Sequence, residues 1–336
     1  MKAAIQAIEY YLPDNRVSNE DLLERFPDYD FTKFENKVGI KYRYWVKETE
    51  TALDLAYEAC QKLFKRVDKT NIDYVILCTQ SPEYLLPTTA CILQDRLGLS
   101  KRIGAFDFNL GCSGYVYGLS LAKALVESEQ ACNVLLITTE TYSKYLHMLD
   151  KSNRAIFGDA ASATLVSEGT HDGLKGFLFG TDGAGAEKLI VRNGGSRNRY
   201  DSQTILRCYG TDNFYTDNNL YMNGPEIFNF TADLIPEFTG DLLFKNNTNI
   251  ENVDYFIFHQ ANAFMLNTLR KRLKVSAEKF YIDLEDGGNT VSNTIPIALK
   301  RLSDSLAIDR YLNIALVGFG VGLSWAGGMI SIDKKL

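Results

Sequence analysis

Histidine is scarce: the 336 residues hold three, His147, His171 and His259. Imidazole chemistry therefore has few places to sit. The six cysteines, Cys60, Cys78, Cys91, Cys112, Cys132 and Cys208, show no paired metal spacing. Several lie inside apolar runs, as in Tyr74-Val75-Ile76-Leu77-Cys78, and read as reduced core thiols of a cytoplasmic protein. Positive charge is not in excess. The net charge of −6 leaves no basic footprint for nucleic acid. No apolar run approaches the roughly 20 residues that span a bilayer. Met1-Lys2-Ala3-Ala4-Ile5 lacks a signal-peptide pattern, and no low-complexity segment or linker breaks the chain. What remains is globular composition, 46% hydrophobic and 23% charged. A single core usually stops growing near roughly 250–300 residues, so two domains or two fused halves are expected.

The richest stretch is Phe106-Asp107-Phe108-Asn109-Leu110-Gly111-Cys112-Ser113-Gly114-Tyr115. Ile103 to Phe108 reads as a buried strand. From Tyr115 to Ser128, Tyr115, Gly118, Leu119, Ala122, Leu125 and Val126 share one helical face. Cys112 thus sits on a tight turn at a helix start, where free N–H groups and the helix dipole favour negative charge. A partly ionised, nucleophilic thiol is expected there. One more buried cysteine is the competing reading.

Strand and helix patterns alternate along the chain, which implies an α/β fold. Ala3 to Tyr11 is a strand, Thr51 to Phe64 an amphipathic helix, Asp73 to Thr79 a buried strand. Thr88 to Leu97 is a helix, Val134 to Thr138 a strand, and Asp159 to Val166 leads into another. The order begins again near Gly173, so two halves, 1–170 and 171–336, suggest an internal duplication. Leu174 to Phe179 is a strand and Thr181 to Asn219 an irregular excursion. A helix from Asn223 toward Leu243 carries Pro236, where a kink is expected. Tyr255 to Phe258 is a strand, Asn262 to Leu273 a helix, Phe280 to Leu284 a strand. Thr294 to Leu306 is a helix with Pro296 in its first turn. Asn313 to Val317 is a strand running into Gly318-Phe319-Gly320-Val321-Gly322.

Cys112, His259 and Asn289 each follow a buried strand. Ligands of open α/β sheets bind beyond the carboxyl ends of strands, so the three can converge. His147, in Tyr-Leu-His-Met, and His171, in a polar turn, read as packing or surface residues. Cys, His and Asn together admit a papain-like hydrolase or thioester carbon–carbon bond formation. The Cys-Gly-Ser-Cys-Trp signature of the first is absent.

Six motifs in order decide the matter: Asn109-Leu110-Gly111-Cys112-Ser113-Gly114, Phe157-Gly158-Asp159-Ala160-Ala161-Ser162-Ala163, Met222-Asn223-Gly224-Pro225-Glu226-Ile227-Phe228, His259-Gln260-Ala261-Asn262, Gly288-Asn289-Thr290 with Ile295-Pro296-Ile297-Ala298-Leu299, and Gly318-Phe319-Gly320-Val321-Gly322-Leu323-Ser324-Trp325. Over nearly its whole length the chain resembles the thiolase superfamily, and most closely β-ketoacyl-ACP synthase III.

The resemblance implies a thiolase fold, two pseudo-duplicated halves in a layered αβαβα core, and a homodimer. It implies that the Cys112 thiolate takes an acyl group from acyl-CoA or acyl-ACP. Malonyl-ACP then loses CO2, and its enolate is held by His259 and Asn289. The N–H groups of Cys112 and Val321 hold the tetrahedral oxyanion. No metal, nicotinamide or flavin is implied. The substrate pocket would include Leu86, Phe157, Met222, Gly224 and Gly320, with Leu86 reaching over from the partner subunit. An acyl carrier protein would dock by Lys271, Arg272 and Lys274, whose alternative is a solvated helix face.

Departures shape the expectation. Relatives that condense without decarboxylation use a second cysteine, absent from Gly318 to Gly322, or a glutamate where Gln80 or Leu86 stands; Glu83 is nearby. The family's adenine-stacking tryptophan falls at Lys33 and Phe34, and its carrier-contacting arginine at Phe264. Leu86, replacing a phenylalanine, suggests a primer longer or more branched than acetyl. Val321 replaces a glycine. Two alternatives stay open: an acyltransferase serving an oxygen or nitrogen nucleophile, and a non-catalytic partner subunit.

Overall fold

The computed structural model describes residues 1–336. Two five-stranded sheets form its frame. The first runs Gly104–Phe108, Tyr74–Cys78, Asn133–Glu140, Ala160–Glu168, Ala3–Tyr11. Its successive pairings are parallel, parallel, antiparallel, antiparallel. The second runs Phe280–Tyr281, Tyr255–Phe258, Leu312–Gly320, Ser324–Ile332, Leu174–Thr181, with the same four pairings in the same sequence. Ranked along the chain within residues 3–168 and 174–332, both sheets have the spatial order 3-2-4-5-1.

The middle layer is two buried helices, Gly114–Glu127 and Thr294–Ser305. Tyr115, Val116, Leu119, Ala122 and Val126 of the first and Ile295, Ala298, Leu299 and Leu302 of the second share one core with strand residues of both sheets. Ala52–Leu63 and Thr89–Arg96 cover the outer face of the first sheet. Gly224–Lys245 and Ala263–Leu273 cover the second. The layers are therefore α, β, α, β, α, the thiolase architecture. Strands that are buried on both faces explain the continuous apolar runs in the sequence. No helix is long and apolar enough to cross a membrane.

The structure adds to one expectation and corrects another. Ser324–Ile332, to which the sequence pattern assigned no element, is a full strand paired along Leu312–Gly320. Residues 181–219 are not irregular throughout: Leu189–Val191 pairs with Leu220–Met222, and Arg207–Tyr209 with Asn213–Tyr215. The helix expected from Asn223 toward Leu243 is present as Gly224–Lys245, capped by Asn223 and carrying Pro236 inside it. A further small sheet joins Asp286–Gly287 to Tyr42–Tyr44 and Arg16–Ser18, segments nearly a chain length apart.

Candidate active site

Cys112 closes the turn between Gly104–Phe108 and the buried Gly114–Glu127 helix. The turn is clasped by Gly114 N–H donating to Gly111 O at 2.8 Å. The sulfur faces the N–H groups of Cys112 itself and of Val321. Val321 comes from the turn between Leu312–Gly320 and Ser324–Ile332, so both halves of the chain supply the pair. Gly320 makes the approach possible, since a Cβ there would stand 2.9 Å from the Cys112 Sγ.

The expected standing thiolate is not what this site holds. Burial, and next the Glu140 carboxylate, push the Cys112 thiol up to about 12. The helix start favours a thiolate, but loss of hydration costs more. Cys112 is a thiol at neutral pH and needs a base when it reacts.

His259 follows the Tyr255–Phe258 strand, with Phe319 edge-on to its ring at 5.6 Å. Burial drives the imidazole down to about 3, so it is neutral. Its Nδ1 lies 2.8 Å from Thr294 Oγ1, and the Val291 carbonyl also faces the ring. Asn289 is held by its backbone against the other half: its N–H donates to Ile156 O at 2.9 Å, and its carbonyl accepts from Gly158 N–H at 3.0 Å. Gly288, at φ +66°, allows the turn into this position. The side-chain Oδ1 accepts from Val291 N–H at 2.9 Å, which turns Nδ2 toward His259 Nε2 at 3.5 Å.

One cavity of about 140 Å³ brings Cys112, His259 and Asn289 together with Phe157, Met222, Gly224 and Gly320. No charged residue lines it. Val321 reaches it through the thiol, by its N–H. Leu86 does not line it: with Tyr84 and Leu85 it stands on an exposed turn, 82% accessible. Lys271, Arg272 and Lys274 line neither the cavity nor the two grooves at its mouth, and Arg272 is engaged by Asp233 at 3.1 Å and Ala232 O at 2.6 Å. The groove sharing Gly224, Asn262 and Met265 with the cavity carries Lys37 over the Phe264 ring at 4.9 Å. The groove sharing Ile156 carries Lys33 and Lys37. Among all residues, no cluster of three His, Cys, Asp or Glu side chains is placed to hold a metal ion.

Sequence reasoning missed Glu140, at the end of the Asn133–Glu140 strand. It is 0% exposed, has no cationic partner, and accepts from Gln80 N–H at 3.1 Å, Ser81 Oγ at 3.1 Å and Ser292 Oγ at 3.3 Å. Burial still pushes its carboxyl up to about 8. It also missed that Tyr142, a cavity wall, donates its hydroxyl to Gln80 Oε1, and that Gln80 Nε2 donates to Asn109 Oδ1 at 3.1 Å. A glutamate ending an apolar strand was the available signal.

Two stacked sheets of one topology, with a thiol at the head of a middle-layer helix, define an acyl-transferring enzyme of the thiolase fold. Residues 106–189 match the 3-oxoacyl-[acyl-carrier-protein (ACP)] synthase III family, and residues 243–332 match its C-terminal counterpart. β-Ketoacyl-[acyl-carrier-protein] synthase III of Clostridioides difficile (strain 630) is 34% identical over 331 residues, 98% of each chain. A solved 3-oxoacyl-(acyl-carrier-protein) synthase III superposes with a TM-score of 0.95 at 47% identity, covering 99% of this chain and 100% of that one. The priming β-ketosynthase of the R1128 polyketide pathway gives a TM-score of 0.87 at 26% identity, covering 100% and 97%. The chain belongs to the β-ketoacyl-ACP synthase III family.

Proposed function

We propose that Cys112 takes an acyl group from an acyl-CoA or acyl-ACP and passes it to the carbanion of malonyl-ACP, giving a β-ketoacyl-ACP and CO2. The observation that carries this reading is the neutrality of the cavity. Without a charged residue on its wall, no carboxylate base stands ready to strip a proton from carbon, whereas loss of CO2 creates the carbanion without one.

In acyl transfer, the Cys112 S–H proton passes to His259 Nε2 and the sulfur bonds to the acyl carbon. The oxyanion takes the Cys112 and Val321 N–H bonds. The C–S bond of the donor breaks, and its sulfur leaves with the proton from Nε2. In condensation, CO2 departs from the malonyl group. The enolate oxygen takes hydrogen bonds from His259 and Asn289 Nδ2, and the carbanion attacks the acyl carbon. Cys112 leaves as thiolate and regains its proton from water. So written, the chemistry calls on no cofactor.

An acidic carrier would meet Lys33 and Lys37 at the cavity mouth rather than Lys271, Arg272 and Lys274. A homodimer is supported by the consecutive exposed apolar residues Tyr84, Leu85 and Leu86, beside an unpaired sheet edge at Gly104–Phe108. In that dimer Leu86 would enter the partner's pocket. The identical strand orders support duplicated halves at 1–170 and 171–336, and six unbridged cysteines support a cytoplasmic setting. The test is to supply a panel of acyl-CoAs with malonyl-ACP and measure CO2 release and β-ketoacyl-ACP. Both should form with at least one primer; CO2 without condensed product, or neither, would contradict the reading.

A further inference from the structure

The reaction proposed above asks one histidine for two opposite services. In acyl transfer His259 Nε2 must accept a proton; in condensation the same nitrogen must donate a hydrogen bond. A neutral imidazole carries one proton, so it cannot offer both at once. Thr294 sits where the choice is made. Its Oγ1 is 2.8 Å from His259 Nδ1 and 3.0 Å from Val291 O. Both side chains are buried, so water does not compete for either contact.

The hydroxyl has one proton and two places to put it. Donated to Val291 O, it leaves a lone pair that accepts from Nδ1–H. Nε2 is then bare and ready to accept. Donated to Nδ1, it fixes the ring proton on Nε2, which then donates. The Val291 carbonyl survives either state, because the Thr294 N–H donates to it as well. We propose that Thr294 is a positioning residue whose hydroxyl, by rotating between Val291 O and His259 Nδ1, moves the ring proton between the two nitrogens and lets His259 serve both half-reactions. This rests on the reading under Proposed function. The free enzyme favours the Nδ1–H form, since Asn289, its Oδ1 held by the Val291 N–H, turns the donor Nδ2 toward His259 Nε2. The ring is neutral in both states: between half-reactions, once the donor has left and water enters the cavity, Nε2 takes a proton from that water, and the hydroxide left behind takes the Nδ1 proton as the Thr294 contact briefly opens.

The scarcity of histidine makes this measurable. His147 Nδ1 accepts the Leu149 N–H at 3.2 Å, and His171 Nε2 faces Ser331 O at 3.0 Å. In its neutral form each of these rings therefore carries its proton on Nε2. Among neutral imidazoles, His259 alone should show a protonated Nδ1 in the spectrum of ¹⁵N-histidine-labelled enzyme, recorded at a pH high enough that His147 and His171 are neutral. A malonyl thioester analogue that cannot lose CO2, bound to the acylated enzyme, should move that proton to Nε2 in the wild type and in Thr294→Ser. Thr294→Val should keep it on Nδ1, load acyl groups at near wild-type rate, and condense on the order of 10²-fold more slowly, the cost of one lost oxyanion donor. Unchanged His147 and His171 signals would report that the Val variant is folded, and Thr294→Ser restores the hydroxyl alone. A wild-type His259 that keeps its proton on Nδ1 with the analogue bound, or a Thr294→Val enzyme that slows both half-reactions equally, would overturn the proposal. A wild type that makes no β-ketoacyl product would instead count against the proposed function.

Discussion

The same connection in the two halves has been put to different use. In each, the third strand leads to a buried middle-layer helix. In the first half, five residues suffice between Phe108 and Gly114, and Cys112 lies almost on the helix start. In the second, the path from Tyr281 to Thr294 is longer and holds Asn289, a short strand and the 3-10 turn Val291–Asn293. The short connection gives a nucleophile its own backbone N–H and little freedom, and the second half adds the Val321 N–H. The long one gives a side-chain amide and a hydroxyl that reaches back to His259. Electrostatics differ in sign and agree in outcome. Burial pushes the first half's acids, Cys112 and Glu140, up to about 12 and about 8, and the second half's base, His259, down to about 3. The site is uncharged at neutral pH. Apart from the carboxylate that a malonyl group brings with it, charge arises only as substrate reacts, in a place where fixed donors are worth most.

Removing one side's contribution should break the comparison cleanly. Cys112→Ala should abolish the acyl adduct seen by intact-protein mass spectrometry while leaving the second half's groups in place. Gly320→Ala should slow acyl loading on the order of 10²-fold, because the new methyl must displace the sulfur or itself, and misplacement near 1 Å costs about that much. Rapid-quench loading kinetics would measure it; an unchanged rate would mean the sulfur tolerates the contact.

Smaller effects sharpen the electrostatic half of the comparison. Iodoacetamide should alkylate Cys112 slowly at pH 7, with the rate still rising above pH 9. A plateau below pH 8 would restore the standing thiolate. The folded Glu140 keeps its proton to about pH 8, whereas an unfolded glutamate loses it near 4.5. The native state thus binds more protons across that window, and stability falls as pH rises through it. His259 acts in the opposite sense, adding stability as pH rises from about 3 to 6.5. Denaturant unfolding of Glu140→Gln should show a flatter loss of stability between pH 6.5 and 8 than the wild type.

How much of this the sequence carried depends on the kind of feature. Cys112, His259 and Asn289 were legible because each lies in the connection that follows an apolar strand and carries its own chemistry. The Thr51 to Phe64 helix was legible from its one apolar face, and it spans Ala52–Leu63. Ser324–Ile332 was not: Trp325-Ala326-Gly327-Gly328 has no alternation, because both of its faces are covered. The Asp286–Gly287 strand is two residues long and pairs with Tyr42–Tyr44, a partner that no local pattern names. The thiol's state failed for a related reason. A helix start is local and readable, but the thiol is enclosed by Gly320 and Val321 and feels the charge of Glu140, all distant in sequence. Thr294 read only as a helix start, since its role lies in the gap between His259 and Val291.

The most direct test of the account separates the two half-reactions in Asn289→Ala. The variant would be loaded with an acyl thioester, followed by intact-protein mass, then chased with malonyl-ACP. The account predicts loading within a few-fold of wild type and discharge slower on the order of 10²-fold or more. Equal loss of both steps, or rapid discharge to an alcohol or amine without malonyl-ACP, would contradict it.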